Sequence, residues 1–151
     1  MIHKRFWLPL MLCAGAVLAL VPALASADGM TLTLGTTAHL IAGVEVDVPI
    51  TVSCAPLPPP SFGTVFDMST VQVEEAVGKA IAHGQGFVPV VPCDGASHTV
   101  TSVVIADTSS PPFKKGQAVV TQAFAEFCVN TPTGGVCDSA GSAPVAIAIK
   151  R

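Results

Sequence analysis

The sequence predicts an all-β fold: a two-sheet antiparallel sandwich of about seven strands, stapled by two disulfides and preceded by a signal peptide. Three observations predict it. Apolar residues recur at every second position in several short runs, the period of a half-buried strand. Gly, Pro, Asn and Asp clusters separate those runs. Four cysteines, Cys54, Cys93, Cys128 and Cys137, follow a segment with the marks of a secretory leader.

That leader covers residues 1–27. His3, Lys4 and Arg5 form a basic start, residues 8–22 form an apolar stretch, and Ala25-Ser26-Ala27 fits a cleavage site. Pro22 and the small residues after it favour cleavage. Left uncleaved, this segment would be the chain's contact with a membrane, and no second apolar run is long enough to span one. Cys13 follows Leu10-Met11-Leu12, a poor setting for a lipid-acceptor cysteine. Residues 28–151 then form one domain, working in an oxidising place: secreted, extracellular or associated with the cell surface.

The first strand is expected at residues 30–34, where Met, Thr and Leu alternate. Residues 44–54 form the clearest strand. Val44, Val46, Val48, Ile50, Val52 and Cys54 share one face; Glu45, Asp47, Pro49, Thr51 and Ser53 share the other. Pro49 cannot donate to a ladder, which suggests an edge position or a bulge. Residues 55–61 are proline-rich and read as a rigid extended connector. Residues 69–84 have two readings. As a strand hairpin, Val71, Val73 and Val77 share a face and Gly78 makes the turn. As a helix, Ser69 caps, Gln72 completes the capping box and Glu75 pairs with Lys79. The hairpin is favoured because Gly78 would interrupt a helix.

A short strand is expected at 87–91, followed by an Asp94-Gly95 turn. Residues 98–106 read as a β-branched strand, 107–116 as a loop with a solvated basic tip, 117–129 as a long strand and 131–135 as a turn. In the last strand Val145, Ile147 and Ile149 face inward. About seven such strands in one domain match the immunoglobulin-like class.

Four cysteines allow three pairings. Cys54 shares the apolar face of its strand. On 117–129 the apolar row is Val119, Thr121, Ala123, Ala125, Phe127 and Val129, which leaves Cys128 on the other face. A buried bridge between Cys54 and Cys128 therefore fits poorly. Cys128 and Cys137 flank a turn and can close a hairpin tip, which leaves Cys54 with Cys93.

Composition narrows the function. From residue 28 onward five basic residues face ten acidic ones, a net charge of −5. No basic stripe exists to neutralise phosphates, which argues against nucleic acid as a partner. There is no Tyr, and the single Trp, Trp7, lies in the leader. Carbohydrate sites usually rest on Trp and Tyr platforms, so a sugar-binding module is disfavoured. His39, His83 and His98 lack metal-ligand spacing with one another or with cysteine. Ser97, His98 and Asp94 could be drawn as a catalytic triad, but Asp94-Gly95 is better explained as turn chemistry. Glu74 and Glu75 are adjacent and would face opposite ways on a strand. The cysteines lack redox spacing. No catalytic, cofactor-binding or metal-binding residues are assigned, and the chain is not expected to be an enzyme.

Several segments together carry a resemblance: Val52-Ser53-Cys54, Val77-Gly78-Lys79, Cys93-Asp94-Gly95 with His98-Thr99-Val100, Pro112-Phe113-Lys114-Lys115-Gly116-Gln117-Ala118-Val119, and the last strand. They resemble small exported bacterial β-sandwich proteins, common in high-GC Gram-positive bacteria. The resemblance implies an immunoglobulin-like fold and carries no catalytic residues. Cys128 to Cys137, Ser139-Ala140-Gly141 and Ala146-Ile147-Ala148-Ile149 are more weakly similar to the end of neocarzinostatin-like chromophore carriers, although Cys54 and Cys93 lie further apart than the short-range second bridge of that group. The expected function is a secreted, non-enzymatic domain that binds a protein or cell-envelope partner. The alternative is a carrier of a small apolar ligand, held in a cleft lined by the Phe residues.

Overall fold

A computed structural model describes residues 29–58 and 66–151. The expected leader at 1–27 and part of the proline-rich connector lie outside the described residues. Among the described residues there is no helix long and apolar enough to cross a membrane. The fold is all-β, with nine strands among the described residues: β1 (Thr31–Leu34), β2 (Thr37–Ile41), β3 (Glu45–Ser53), β4 (Phe66–Val77), β5 (Ala80–Gly86), β6 (Ser97–Ala106), β7 (Gly116–Thr131), β8 (Gly134–Ser142) and β9 (Val145–Lys150).

Seven of them close into a ring in the order β3, β2, β9, β7, β4, β5, β6 and back to β3. This differs from the expected pair of separate sheets. Two short seams close the ring. At one, β2 runs parallel to β9 at Thr37↔Ala148, Ala38↔Ile149 and His39↔Lys150. At the other, β5 meets β6 at Gly84↔Ala106 and Gln85↔Ile105. Away from the seams the layers separate. β1 continues along β3 and β8 along β7. There β1 and β8 lie side by side without a ladder, linked by the Met30 N–H, which donates to buried Asp138 Oδ1 at 3.2 Å.

β3 alternates as its sequence requires. Val46, Val48, Ile50 and Val52 are fully buried, while the residues between them are half-buried. Burying a side chain of this kind stabilises by about 1.5–3 kcal/mol. Pro49 is neither at a sheet edge nor in a bulge. It sits inside β3, opposite Thr101 of β6. On the other side it meets the break between β1 and β2, where its carbonyl accepts the Gly35 N–H at 2.8 Å. A residue's N–H and C=O point toward the same neighbour in an antiparallel ladder, so its missing donor falls where no strand is present to use it.

The segment at 69–84 is the β4–β5 hairpin. Val77 pairs with Ala80 around a two-residue turn. Gly78 has φ 65° and Lys79 is not left-handed, the pattern of a type II′ turn. The β2–β3 turn differs: Ala42 and Gly43 have φ 50° and 78°, and the Val44 N–H donates to the Ile41 carbonyl at 3.2 Å. That is a type I′ turn. An alanine in its first central position costs about 1–2 kcal/mol of backbone strain.

β7 keeps its expected inward row only from Ala123 to Val129. Toward its start Ala118 and Val120 are buried and Val119 is exposed. The register with β4 shifts between Gln72↔Gln122 and Val73↔Val120, so Thr121 is an extra residue. This bulge exchanges the two faces. Cys128 lies beyond it and stays off the core face. Residues 87–91, expected as a strand, form none. Pro89 lacks a donor, and side chains replace the ladder. Ser69 Oγ donates to the Val88 carbonyl and accepts the Val88 N–H, and Ser102 Oγ donates to the Phe87 carbonyl.

Both predicted disulfides are present. Cys54 pairs with Cys93, and Cys128 with Cys137, its direct cross-strand neighbour. Their sequence separations are 39 and 9. The longer loop restricts the unfolded chain more, and Cys54 is only 1% exposed while Cys137 faces solvent. Replacing Cys54 and Cys93 by Ala is expected to destabilise by at least about 1 kcal/mol more than replacing Cys128 and Cys137. Urea unfolding of the two double variants measures this. Equal midpoints and slopes would contradict it.

Candidate functional site

The seamed end of the barrel carries the most developed surface feature. The loop at 107–115 folds over it and inserts Phe113, which is 2% exposed. The loop was expected to carry a solvated basic tip. Lys114 and Lys115 are exposed, but Phe113 is a core residue. Gly84 of β5 leaves room for it: a Cβ there would lie 2.8 Å from Phe113 Cε2 and Cζ and from the Ile105 carbonyl oxygen.

Three sets of bonds hold this cap. The Asp107 N–H donates to the His83 carbonyl at 2.8 Å. Ser110 Oγ accepts the His83 N–H and reaches the His83 carbonyl. Immediately after Phe113, the Lys114 N–H donates to Glu75 Oε2 at 2.7 Å. Glu75 is 3% exposed. It faces inward in phase with Val71 and Val73, while its neighbour Glu74 faces outward, with Oε1 3.5 Å from His83 Nδ1. The opposed faces of the two glutamates were legible in the sequence. The anchoring role of Glu75 was not, although its phase on β4 marked it as a carboxylate needing a buried donor.

Beside the cap lies an open cleft of about 810 Å³, lined by Leu40, Ala42 and Gly43 from the β2–β3 turn region, Phe113 to Lys115, and Arg151. Among the described residues Lys114, Lys115 and Arg151 form no ion pair; the two pairs present are His83 with Glu74 and His98 with Asp94. Of the described Phe residues that could have lined a ligand cleft, Phe113 lines this one, Phe127 is buried in the core and Phe87 is 65% exposed elsewhere.

Of the residues drawn as a triad, two come together. His98 Nε2 lies 2.9 Å from Asp94 Oδ1, and the same oxygen accepts the Ala96 N–H at 2.9 Å. Ser97 precedes His98 on β6 and so faces the other way. The Asp94 cluster is a turn: Gly95 has φ 84° and its N–H donates to the Cys54 carbonyl at 3.0 Å. His39 lies on β2 opposite Asp47 in register. The one grouping of metal-type donors among the described residues is Glu126, Cys128 and Cys137, and both of its sulfurs are bonded to each other.

Two predictions follow from these contacts. Gly84→Ala is expected to destabilise by about 1–3 kcal/mol through overpacking against Phe113 and the Ile105 backbone. Gly141→Ala, whose nearest atom would be at 3.5 Å, serves as the tolerant comparison. Thermal melts report both; equal losses would contradict the plug. The second concerns pH. The hydrogen bond from His98, followed by that from the Ala96 N–H, holds the Asp94 carboxyl below the usual aspartate range. A lowered folded-state value stabilises fully above the unfolded value of about 3.9, and the contribution is lost as pH falls through the folded value. Asp94→Asn keeps an acceptor for Ala96 and removes the charge. Its melting temperature is expected to lie below the parent's at neutral pH, with the gap closing in acid. A gap independent of pH would sink this account.

No protein-family model matches the chain, and no curated protein or solved structure matches it.

Proposed function

We propose that this chain is an exported, non-enzymatic binding domain of immunoglobulin-like type. The strand order supports the fold reading. Cut at the two short seams and joined through the β1–β2 and β8–β9 breaks, the strands fall into β1/β2, β3, β6 on one side and β5, β4, β7, β8/β9 on the other. A three-strand layer facing a four-strand layer, zipped along both seams at one end, supports an immunoglobulin-like reading. The two disulfides fit an oxidising environment, which supports export together with the leader read at residues 1–27.

The observation that carries the binding reading is the cleft at the capped end. Its walls are held by Glu75, Ser110 and the tight β2–β3 turn, so it is preformed. Its lining supplies apolar surface and cations, without a nucleophile or an acid–base pair. The same observation favours a second reading, carriage of a small ligand, over a flat adhesive surface. Recovery of the tagged, exported protein from culture supernatant and envelope fractions tests the first reading. It predicts co-recovery of a specific protein or envelope component. Recovery only as an inert soluble monomer would overturn it.

A further inference from the structure

We propose that the cleft at the capped end binds a small amphipathic anion: an apolar body carrying one carboxylate or similar acidic group. The inference rests on the reading of this cleft as a binding site and names its ligand chemistry. From residue 28 onward the chain has only five basic residues, Lys79, Lys114, Lys115, Lys150 and Arg151, against ten acidic ones. Three of the five line this one cleft, and none of the three is paired with a carboxylate among the described residues. Clustering scarce cations on an acidic protein creates a local positive field that attracts anions and repels cations.

The rest of the lining sets the other half of the ligand. Leu40, Ala42, Gly43 and Phe113 present no polar side chain. The polar side chains of the cleft, two lysines and an arginine, are donors only. Among its side chains the cleft thus offers charge to an acidic group and no acceptor to the hydroxyls of a neutral polyol. An acidic headgroup accepts from all three cations, while its apolar portion covers the Leu40 and Ala42 wall. The volume of about 810 Å³ suits a molecule larger than a bare inorganic anion. The site is preformed. The buried Glu75 carboxylate fixes the backbone at Lys114, and the left-handed Ala42 and Gly43 fix the opposite wall. Retaining an alanine at a strained position, where asparagine is preferred, leaves that wall apolar.

Calorimetric titration of the folded protein with decanoate, below its micelle concentration, tests the proposal. One decanoate is expected to bind per chain, at least about tenfold more tightly than acetate or octyl glucoside, with decyltrimethylammonium not binding. Replacing Lys115 and Arg151 together by Ala is expected to weaken decanoate about tenfold at unchanged melting temperature, because both side chains are exposed. Lys115→Arg is expected to retain binding. Failure of decanoate to bind, or equal binding by the double Ala variant, would overturn the proposal. So would acetate binding as tightly as decanoate, or adsorption to phosphatidylglycerol vesicles without binding of soluble decanoate. If decanoate fails while envelope fractions still yield a specific partner, the ligand class falls and the binding-domain reading stands. If both fail, both fall.

Discussion

Because the barrel has a single interior, each strand must keep its apolar row turned into it, and a slip of one residue would turn that row to solvent. β3 meets this constraint without a break, with four fully buried side chains and neighbours on both edges. β7 meets it only by inserting Thr121. Its sixteen residues pair with β9 near the start and β8 near the end, and the bulge lets both halves face inward although their sequence phases differ. The consequences reach the disulfides. Beyond the bulge Cys128 is outside, where its cross-strand neighbour Cys137 can meet it. Cys54 ends the inward row of β3 and must find a partner at the rim of the core, which Cys93 supplies.

The same constraint explains the two ends of the molecule. At the disulfide end the layers part, and single polar contacts bridge the gaps: Met30 to Asp138, and Ser69 and Ser102 to residues 87 and 88. At the other end the layers are zipped by β2 with β9 and by β5 with β6. Zipping leaves a barrel mouth that must be closed, and Phe113 closes it. An aromatic ring can enter there because Gly84 has no side chain. The loop that delivers the ring ends at a backbone N–H, and the buried Glu75 accepts it. Closing the mouth thus also sets Lys114 and Lys115 beside the β2–β3 turn, which is how a folding requirement produces a cationic cleft.

The polar interior is small and specific. Glu75, Ser102 and Asp138 are the buried polar residues among those described. Each bonds to a backbone group on a segment that lacks a complete ladder. Leaving such groups unpaired would cost about 1–3 kcal/mol apiece. Their positions mark where the sheet could not satisfy its own backbone.

Period-two runs made β1, β3, β6 and β9 legible in the sequence, because local alternation and burial coincide there. The disulfide pairing was legible from which face each cysteine occupies and from the turn that Cys128 and Cys137 flank. The hairpin at Gly78 was legible from a single left-handed residue. Other features needed the tertiary structure. Small and polar residues hid β8, whose ladder comes from backbone pairing with β7 rather than from its own side chains. Residues 87–91 looked like a strand because they are apolar, but prolines and serine hydroxyls decided otherwise. Whether the two layers stay apart or join into a ring depends on a handful of backbone pairings at two seams, one of which joins residues more than a hundred positions apart, such as Ala38 with Ile149. The cleft likewise draws Leu40, Phe113 and Arg151 from three distant elements. Local pattern determined which way each strand faces; only the closing of the chain on itself decided what those faces enclose.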